Sequence, residues 1–302
     1  MSTDYLQELL QSQVAAGTDP AYWWGDRVPV ASIDKSVTDL LDLTGKKAIV
    51  TGGAGRNLGQ ACVNRLAALG ADVAAIDLPA TEAVRKRLRW AEPPDVKAVA
   101  ARASEKWDAR VVGIEGDVVT KTGIEAAIAE SVEQLGGVDI LVNNAIEVRV
   151  GDFLGMSYED IELSARGTFV APVYCTRVAL EHMIPQGRGV IVNVCSEASQ
   201  TATPSLTVYG ALKLGMNGFT NFAGKELARH GIRVVGVNPG CMWGPDRDLL
   251  DDTPEGLYPL VRTAIQRFQL PEEVANMIAF LSTDAASCMA GTMVNMGGGM
   301  SL

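Results

Sequence analysis

The sequence predicts an α/β fold: a doubly wound parallel sheet of seven strands, in a single domain preceded by an N-terminal extension. Three observations predict it. From Lys47 onward, short β-branched apolar runs alternate with longer amphipathic stretches, the rhythm of βαβ units. The runs are rich in Val, Ile and Leu along their whole length, as strands buried on both faces are. A glycine-rich turn follows the first run and leads straight into a helical pattern.

Taken in order, the chain opens with an extension over residues 1–42. It carries a short helical pattern of Leu6, Leu9, Leu10 and Val14, then Tyr22, Trp23 and Trp24. Adjacent tryptophans in a tail bury against something, either the chain's own core or a sister subunit. The domain proper spans 43–302. Its strands are expected at 46–52, 72–77, 111–115, 138–144, 189–195, 232–239 and 292–296. Leu58, Cys62, Leu66 and Leu69 share one helix face, and Gly70 stops that helix. The crossover from Leu78 to Arg110 contains Pro93 and Pro94, which break any single helix there. Its basic cluster Arg85, Lys86, Arg87 and Arg89 reads as a solvated helix face. Pro271, Glu272 and Glu273 form a suitable first turn for a late helix, since proline lacks the amide orphaned there and acids suit the positive dipole end.

Composition narrows the function. With 302 residues, 47% of them apolar and 21% charged, the chain supports a large core. A net charge of −10 disfavours nucleic acid as a partner. The five cysteines are scattered and unpaired in sequence, and His182 and His230 are the only histidines, so neither a disulfide framework nor a metal site is expected. No apolar run reaches membrane-spanning length, and the first residues lack the order of a secretory signal, so the protein is expected in the cytoplasm without membrane attachment.

The turn TGGAGRNLGQA, residues 51–61, brings Gly52, Gly53, Arg56, Asn57, Leu58 and Gly59 to a strand-to-helix junction. Glycines there let backbone approach a pyrophosphate, whose charge meets the positive helix end. The next strand ends in Asp77, at the distance where a carboxylate takes ribose hydroxyls. That acid repels a 2′-phosphate and favours NAD over NADP; Arg56 pulls the other way.

Farther along stand Gly116-Asp117-Val118, Asn143-Asn144-Ala145, Ser196, Tyr209 followed four residues later by Lys213, Asn238-Pro239-Gly240, and Gly297-Gly298-Gly299. Tyr209 and Lys213 share a helix face. A free phenol is a poor base at neutral pH, and an ammonium one turn away stabilises its phenolate. That pair, with a serine 13 positions before the tyrosine, suits proton transfer beside a hydride acceptor.

This ordered set resembles the short-chain dehydrogenase/reductase family from about Leu43 to Leu302. The resemblance implies a Rossmann-type fold and a nicotinamide-dependent oxidoreductase interconverting a secondary alcohol and a ketone, with NAD preferred to NADP. It implies Tyr209 as acid/base, Lys213 as its electrostatic partner and ribose contact, and Ser196 as donor to the substrate oxygen. Asp117 and Val118 would meet the adenine, Asn143 and Ala145 the path toward nicotinamide, and Pro239 and Gly240 the carboxamide. For Asn143 a strand-end hydrogen bond is an equally available role. A segment of about 241–270 would cover the substrate; its Met242, Trp243, Leu249, Leu250, Leu257 and Tyr258 either hint at a hydrophobic or cyclic substrate or merely pack that lid. Asp246, Asp248, Asp251 and Asp252 disfavour an anionic one. Relatives associate through two helices, here about 166–183 and 208–229, so a homodimer or homotetramer is expected. The second shows Leu212, Met216, Phe219, Phe222 and Leu227, more apolar residues than one core face needs.

Four departures from the family pattern stand out. The glycine turn is one residue longer, with Asn57 at a glycine position, where asparagine's tolerance of left-handed backbone keeps the turn open. Ser164 stands where an asparagine of a catalytic tetrad is usual, and its hydroxyl would hold the relay water less rigidly. Ile146 replaces a glycine near the nicotinamide, and Gly244 replaces a threonine. These departures motivate two alternatives: an NAD-binding regulator without turnover, or an enzyme of the same fold that recycles NAD in epimerisation or elimination.

Overall fold

The computed structural model describes residues 32, 34–88, 95–243 and 263–300. Residues 1–40 and 41–302 form two compact units. At their boundary lies a one-turn helix, α1 (Val37–Leu41). Its start is a reciprocal cap in which Asp39 N donates to Ser36 Oγ and Ser36 N donates to Asp39 Oδ2. The remainder of the tail, with Leu6 to Val14 and Tyr22 to Trp24, lies outside the described residues.

In the larger unit all seven expected strands form: β1 (Lys47–Thr51), β2 (Asp72–Asp77), β3 (Val111–Glu115), β4 (Ile140–Asn143), β5 (Gly189–Val194), β6 (Ile232–Pro239) and β7 (Thr292–Met296). They pair in parallel in the order β3-β2-β1-β4-β5-β6-β7. This is a Rossmann-like doubly wound sheet. The order reverses between β1 and β4, and at such a switch point the loops diverge and leave a crevice at the strands' carboxyl ends.

Strand alternation sorts the core into two layers. Ala48, Val50, Val73, Ala75, Val142 and Val235 face the layer covered by α2 (Leu58–Ala68), α4 (Val96–Trp107) and α9 (Pro271–Ser282). Ile49, Ala74, Ile76, Leu141, Ile191 and Val234 face the layer of α5 (Lys121–Leu135), α7 (Ala171–Gln186) and α8 (Thr207–Leu227). Successive residues point to opposite faces, so strands covered on both sides need apolar residues at both parities.

The long crossover holds two helices, α3 (Glu82–Leu88) and α4; Pro93 and Pro94 lie outside the described residues. Asp95 caps α4 by accepting from Lys97 N and Ala98 N. Of the basic cluster, Lys86 is exposed and pairs with Glu82 at 3.7 Å. Pro271 and the acids Glu272 and Glu273 do open α9. Between α6 (Tyr158–Ala165) and α7 the chain winds through one π-helical turn, Arg166–Val170. On α7 and α8, Tyr174, Leu214 and Phe222 remain exposed, while Met216 is buried.

Candidate active site

The turn between β1 and α2 is built from backbone approaching backbone. Gly52 has φ +65°, and a Cβ there would lie 2.9 Å from Ala145 Cα; a Cβ on Gly59 would run into the carbonyl oxygen of Gly52. Asn57, expected to use left-handed backbone, has φ −90° instead. Gly52 carries the positive-φ step of the turn, while Asn57, with ψ −113°, lies outside both the helical and the extended regions. Asn57 makes no side-chain cap bond, so it does not compete for the first amides of α2. Side-chain-free approach and an uncapped helix start suit a pyrophosphate.

Asp77, at the end of β2, closes the turn from the side. Its Oδ2 accepts from Ala54 N at 2.9 Å and its Oδ1 from Leu78 N at 2.8 Å. Burial raises its pKa above the ordinary carboxylate value, and these backbone amides oppose that rise. On the other side, Asn144 Nδ2 donates to Thr51 O and Gly52 O, each at 3.0 Å, lacing the end of β4 to the turn.

These groups line one cleft of about 540 Å³ at the switch point. Gly52, Arg56, Asn57, Leu58, Gly59, Asp77, Asp117 and Val118, from the loops after β1, β2 and β3, border one side, Ala145 and Ile146 after β4 the middle, and Ser196, Tyr209, Lys213, Pro239 and Gly240 the other. Three expected site residues are elsewhere. Gly53 lies beneath the turn, where a Cβ would meet Ala75 Cβ at 2.8 Å. Asn143 is buried, and its Nδ2 donates to Asn193 Oδ1, Thr176 Oγ1 and Pro172 O, the strand-end role. Ser164 is fully buried; its hydroxyl donates to Asp160 O at 2.7 Å and accepts from Arg149 N at 2.9 Å. Those two bonds pin the segment after β4 to α6 and commit the hydroxyl proton and one lone pair. Gly244 and Leu249 to Tyr258 lie outside the described residues.

At the end of the cleft after β5, Ser196 Oγ accepts from Ala198 N at 3.1 Å. With one lone pair so engaged, the hydroxyl proton is left to donate. Lys213 is buried; its ammonium donates to Val194 O at 2.7 Å and stands 5.8 Å from the centre of the Tyr209 ring. The same ammonium acts on Cys195, but burial dominates and pushes that thiol up to about 11. Such a thiol is no nucleophile at neutral pH.

Sequence reasoning missed some of the lining. Glu147 is buried at the cleft, with Arg149 Nη2 at 3.8 Å. An acid directly after the Asn-Asn-Ala-Ile stretch was its available signal. Glu197 follows Ser196 and is 1% exposed, yet neither carboxyl oxygen has a hydrogen-bond partner among the described residues. Among the described residues no three or more His, Cys, Asp or Glu side chains gather as a metal site requires, and no helix is long and apolar enough to cross a membrane.

The short chain dehydrogenase family model matches residues 46–248. The chain belongs to the short-chain dehydrogenase family. Its relatives include a short-chain dehydrogenase/reductase of Armillaria gallica, 35% identical over 85% of this chain and 96% of that one. The 3-oxoacyl-[acyl-carrier-protein] reductase FabG of Aquifex aeolicus is 32% identical over 86% and 99%. The 4-formylbenzenesulfonate dehydrogenase of Comamonas testosteroni is 32% identical over 87% and 100%. Among solved structures, a Burkholderia cenocepacia short chain dehydrogenase in complex with NADP matches with TM-score 0.73 and 29% identity, over 86% of this chain and 99% of that one. A Serratia marcescens short-chain dehydrogenase/reductase mutant matches with TM-score 0.75 and 26% identity, over 86% and 99%. Members of this family are oxidoreductases that bind a nicotinamide cofactor.

Proposed function

We propose that this family member is an NAD-dependent oxidoreductase that interconverts a secondary alcohol and a ketone. The observation that carries the reading is that Ser196, Tyr209 and Lys213 line one end of the cleft whose other end is the glycine turn and Asp77. Bound nicotinamide supplies the hydride acceptor or donor. In the oxidative direction the substrate oxygen would accept a hydrogen bond from Ser196 and pass its proton to the phenolate of Tyr209, with the nicotinamide, when bound, taking the hydride. Lys213 stabilises that phenolate by its charge and, held by Val194 O, keeps its place beside the ring. In reduction Tyr209 returns the proton to the oxygen.

Asp77 supports NAD, because a carboxyl at the end of β2, lining the cleft beside the glycine turn, would take ribose hydroxyls and repel a 2′-phosphate. The NADP in the Burkholderia neighbour and the exposed Arg56 at the cleft argue for the phosphorylated form. The desolvated carboxyl of Asp77, already joined to the turn's backbone, outweighs an exposed guanidinium that solvent screens. A hydrophobic or cyclic substrate fits Met242 at the cleft, with Trp243 stacked edge-on against Phe268 at 6.0 Å beside it.

The decisive assay offers NAD and NADP with cyclohexanol, 1-phenylethanol and a steroidal alcohol, and NADH and NADPH with a 3-oxoacyl thioester, following nicotinamide absorbance. NAD-linked turnover with at least one compound is expected. Tyr209→Phe should lower kcat by about a hundredfold or more with cofactor affinity retained. A second reading, a cofactor-binding protein without turnover, draws on the occupied Ser164 hydroxyl and on Ile146 in the cleft. It prevails if Tyr209→Phe keeps both cofactor binding and biological activity.

The exposed Tyr174, Leu214 and Phe222 support self-association through α7 and α8.

A further inference from the structure

We infer that Asn238, Asn295 and Gln200 are positioning residues that hold Ser196 in its donating orientation, an inference that rests on the function proposed above. Ser196 N donates to Asn238 Oδ1 at 3.2 Å. Asn238 Nδ2 donates to Asn295 Oδ1 at 2.9 Å, the two residues standing in register on β6 and β7. Asn295 Oδ1 also accepts from Gln200 Nε2 at 2.9 Å, and Asn295 Nδ2 donates back to Gln200 Oε1 at 3.3 Å. Gln200 ends the short turn that Ser196 begins, donating its N–H to Glu197 O at 2.8 Å. The chain of bonds therefore leaves Ser196, crosses two strands and returns to the serine's own turn.

The physical force of this loop lies in its direction. A side-chain amide can present oxygen or nitrogen to a neighbour, but a backbone N–H only donates. The Ser196 N–H therefore requires Asn238 to present its oxygen, which turns the Asn238 nitrogen toward β7 and requires Asn295 to present its oxygen in turn. Asn238 has no water with which to exchange partners, being fully buried. The outer pair Asn295 and Gln200 is exposed, and their reciprocal bonds hold the amide sense from outside. A second arm fixes the other side of the same peptide. Ser199 Oγ donates to Ser196 O at 2.6 Å and accepts from Asn217 Nδ2 at 2.8 Å, and Asn217 lies one turn beyond Lys213 on α8. With its N–H, its carbonyl and one lone pair of its Oγ all committed, Ser196 keeps its hydroxyl proton for the substrate.

The test uses the full-length protein with the panel compound that the wild type turns over fastest. Asn295→Leu removes the oxygen that orients Asn238, at an exposed position. It is expected to lower kcat roughly tenfold, with cofactor Kd unchanged. Asn295→Asp, which keeps an acceptor oxygen for both Asn238 and Gln200, should recover most of the rate. Because the relay acts through the serine, Asn295→Leu should cost nothing further in a Ser196→Ala background. Wild-type kcat in Asn295→Leu while Ser196→Ala is strongly slowed overturns the positioning role and leaves the function standing. A rate loss of equal size in both backgrounds overturns it as well, by making the effect a general structural one. Full activity in Ser196→Ala, or no turnover of any panel compound by the wild type, overturns the functional reading and this inference together.

Discussion

Glu197 is almost fully buried, with no hydrogen-bond partner for either carboxyl oxygen among the described residues. A buried carboxylate with neither oxygen hydrogen-bonded costs more free energy than a neutral amide of the same shape left equally unpaired. Glu197→Gln should therefore raise stability by about 1 kcal/mol or more in chemical denaturation; a lower stability would mean that the carboxyl is paired in solution. Other residues show how far spacing reaches. The i, i+4 spacing puts Tyr209 and Lys213 on one helix face, while Ser196 enters through the resemblance to the family's ordered motifs. The job of Ser164 was not legible: the spacing to Gly167 and Phe169 located it, but its partners, Arg149 N and Asp160 O, are set by how the segment after β4 lies on α6. Asn143 likewise has its acceptors on α7 and β5, which no local pattern names.

Among the elements, α9 repeats the logic of its sequence most directly. Proline opens it, and Glu273 accepts from Leu270 N at 2.8 Å and from both terminal nitrogens of Arg267 at 2.6 and 2.7 Å. Chiefly through the Arg267 hydrogen bonds, the Glu273 pKa falls from an ordinary 4.5 to about 2. A depressed folded-state value means that the pair stabilises the fold above the unfolded pKa and that this contribution is lost as pH falls from 4.5 toward 2. Glu273→Gln should lower Tm by no more than a few degrees at pH 7, since both side chains are partly exposed, and the gap to wild type should close on acidification. An unchanged gap between pH 5 and pH 2 would refute this assignment. The glycine turn was legible as an element but not in detail: its length and flanks announced a phosphate-binding junction, while the reversal at Gly52 rather than Asn57 depends on the approach of Ala145 from β4.

Across the whole molecule, two helix faces leave apolar surface that the core does not take. Phe222 is 77% exposed and Leu214 57%. If α7 and α8 join copies of this chain, Phe222→Glu should shift the light-scattering mass toward the monomer, with the α/β circular dichroism retained. A wild type that is already monomeric at micromolar concentration would remove this reading.

The sequence by itself determined the seven strands, their parallel pairing and the reach of the glycine turn, because a strand buried on both faces must be apolar at both parities and a parallel sheet demands crossovers of helical length. It also determined that Tyr209 and Lys213 share a helix face, since one helical turn is a rigid ruler. Only the tertiary structure decided which polar side chains serve the cleft and which serve the scaffold. Amides and hydroxyls have no periodicity of their own, so whether Asn143, Ser164 or Asn238 faces the cleft or braces a neighbouring strand depends on partners brought from distant parts of the chain.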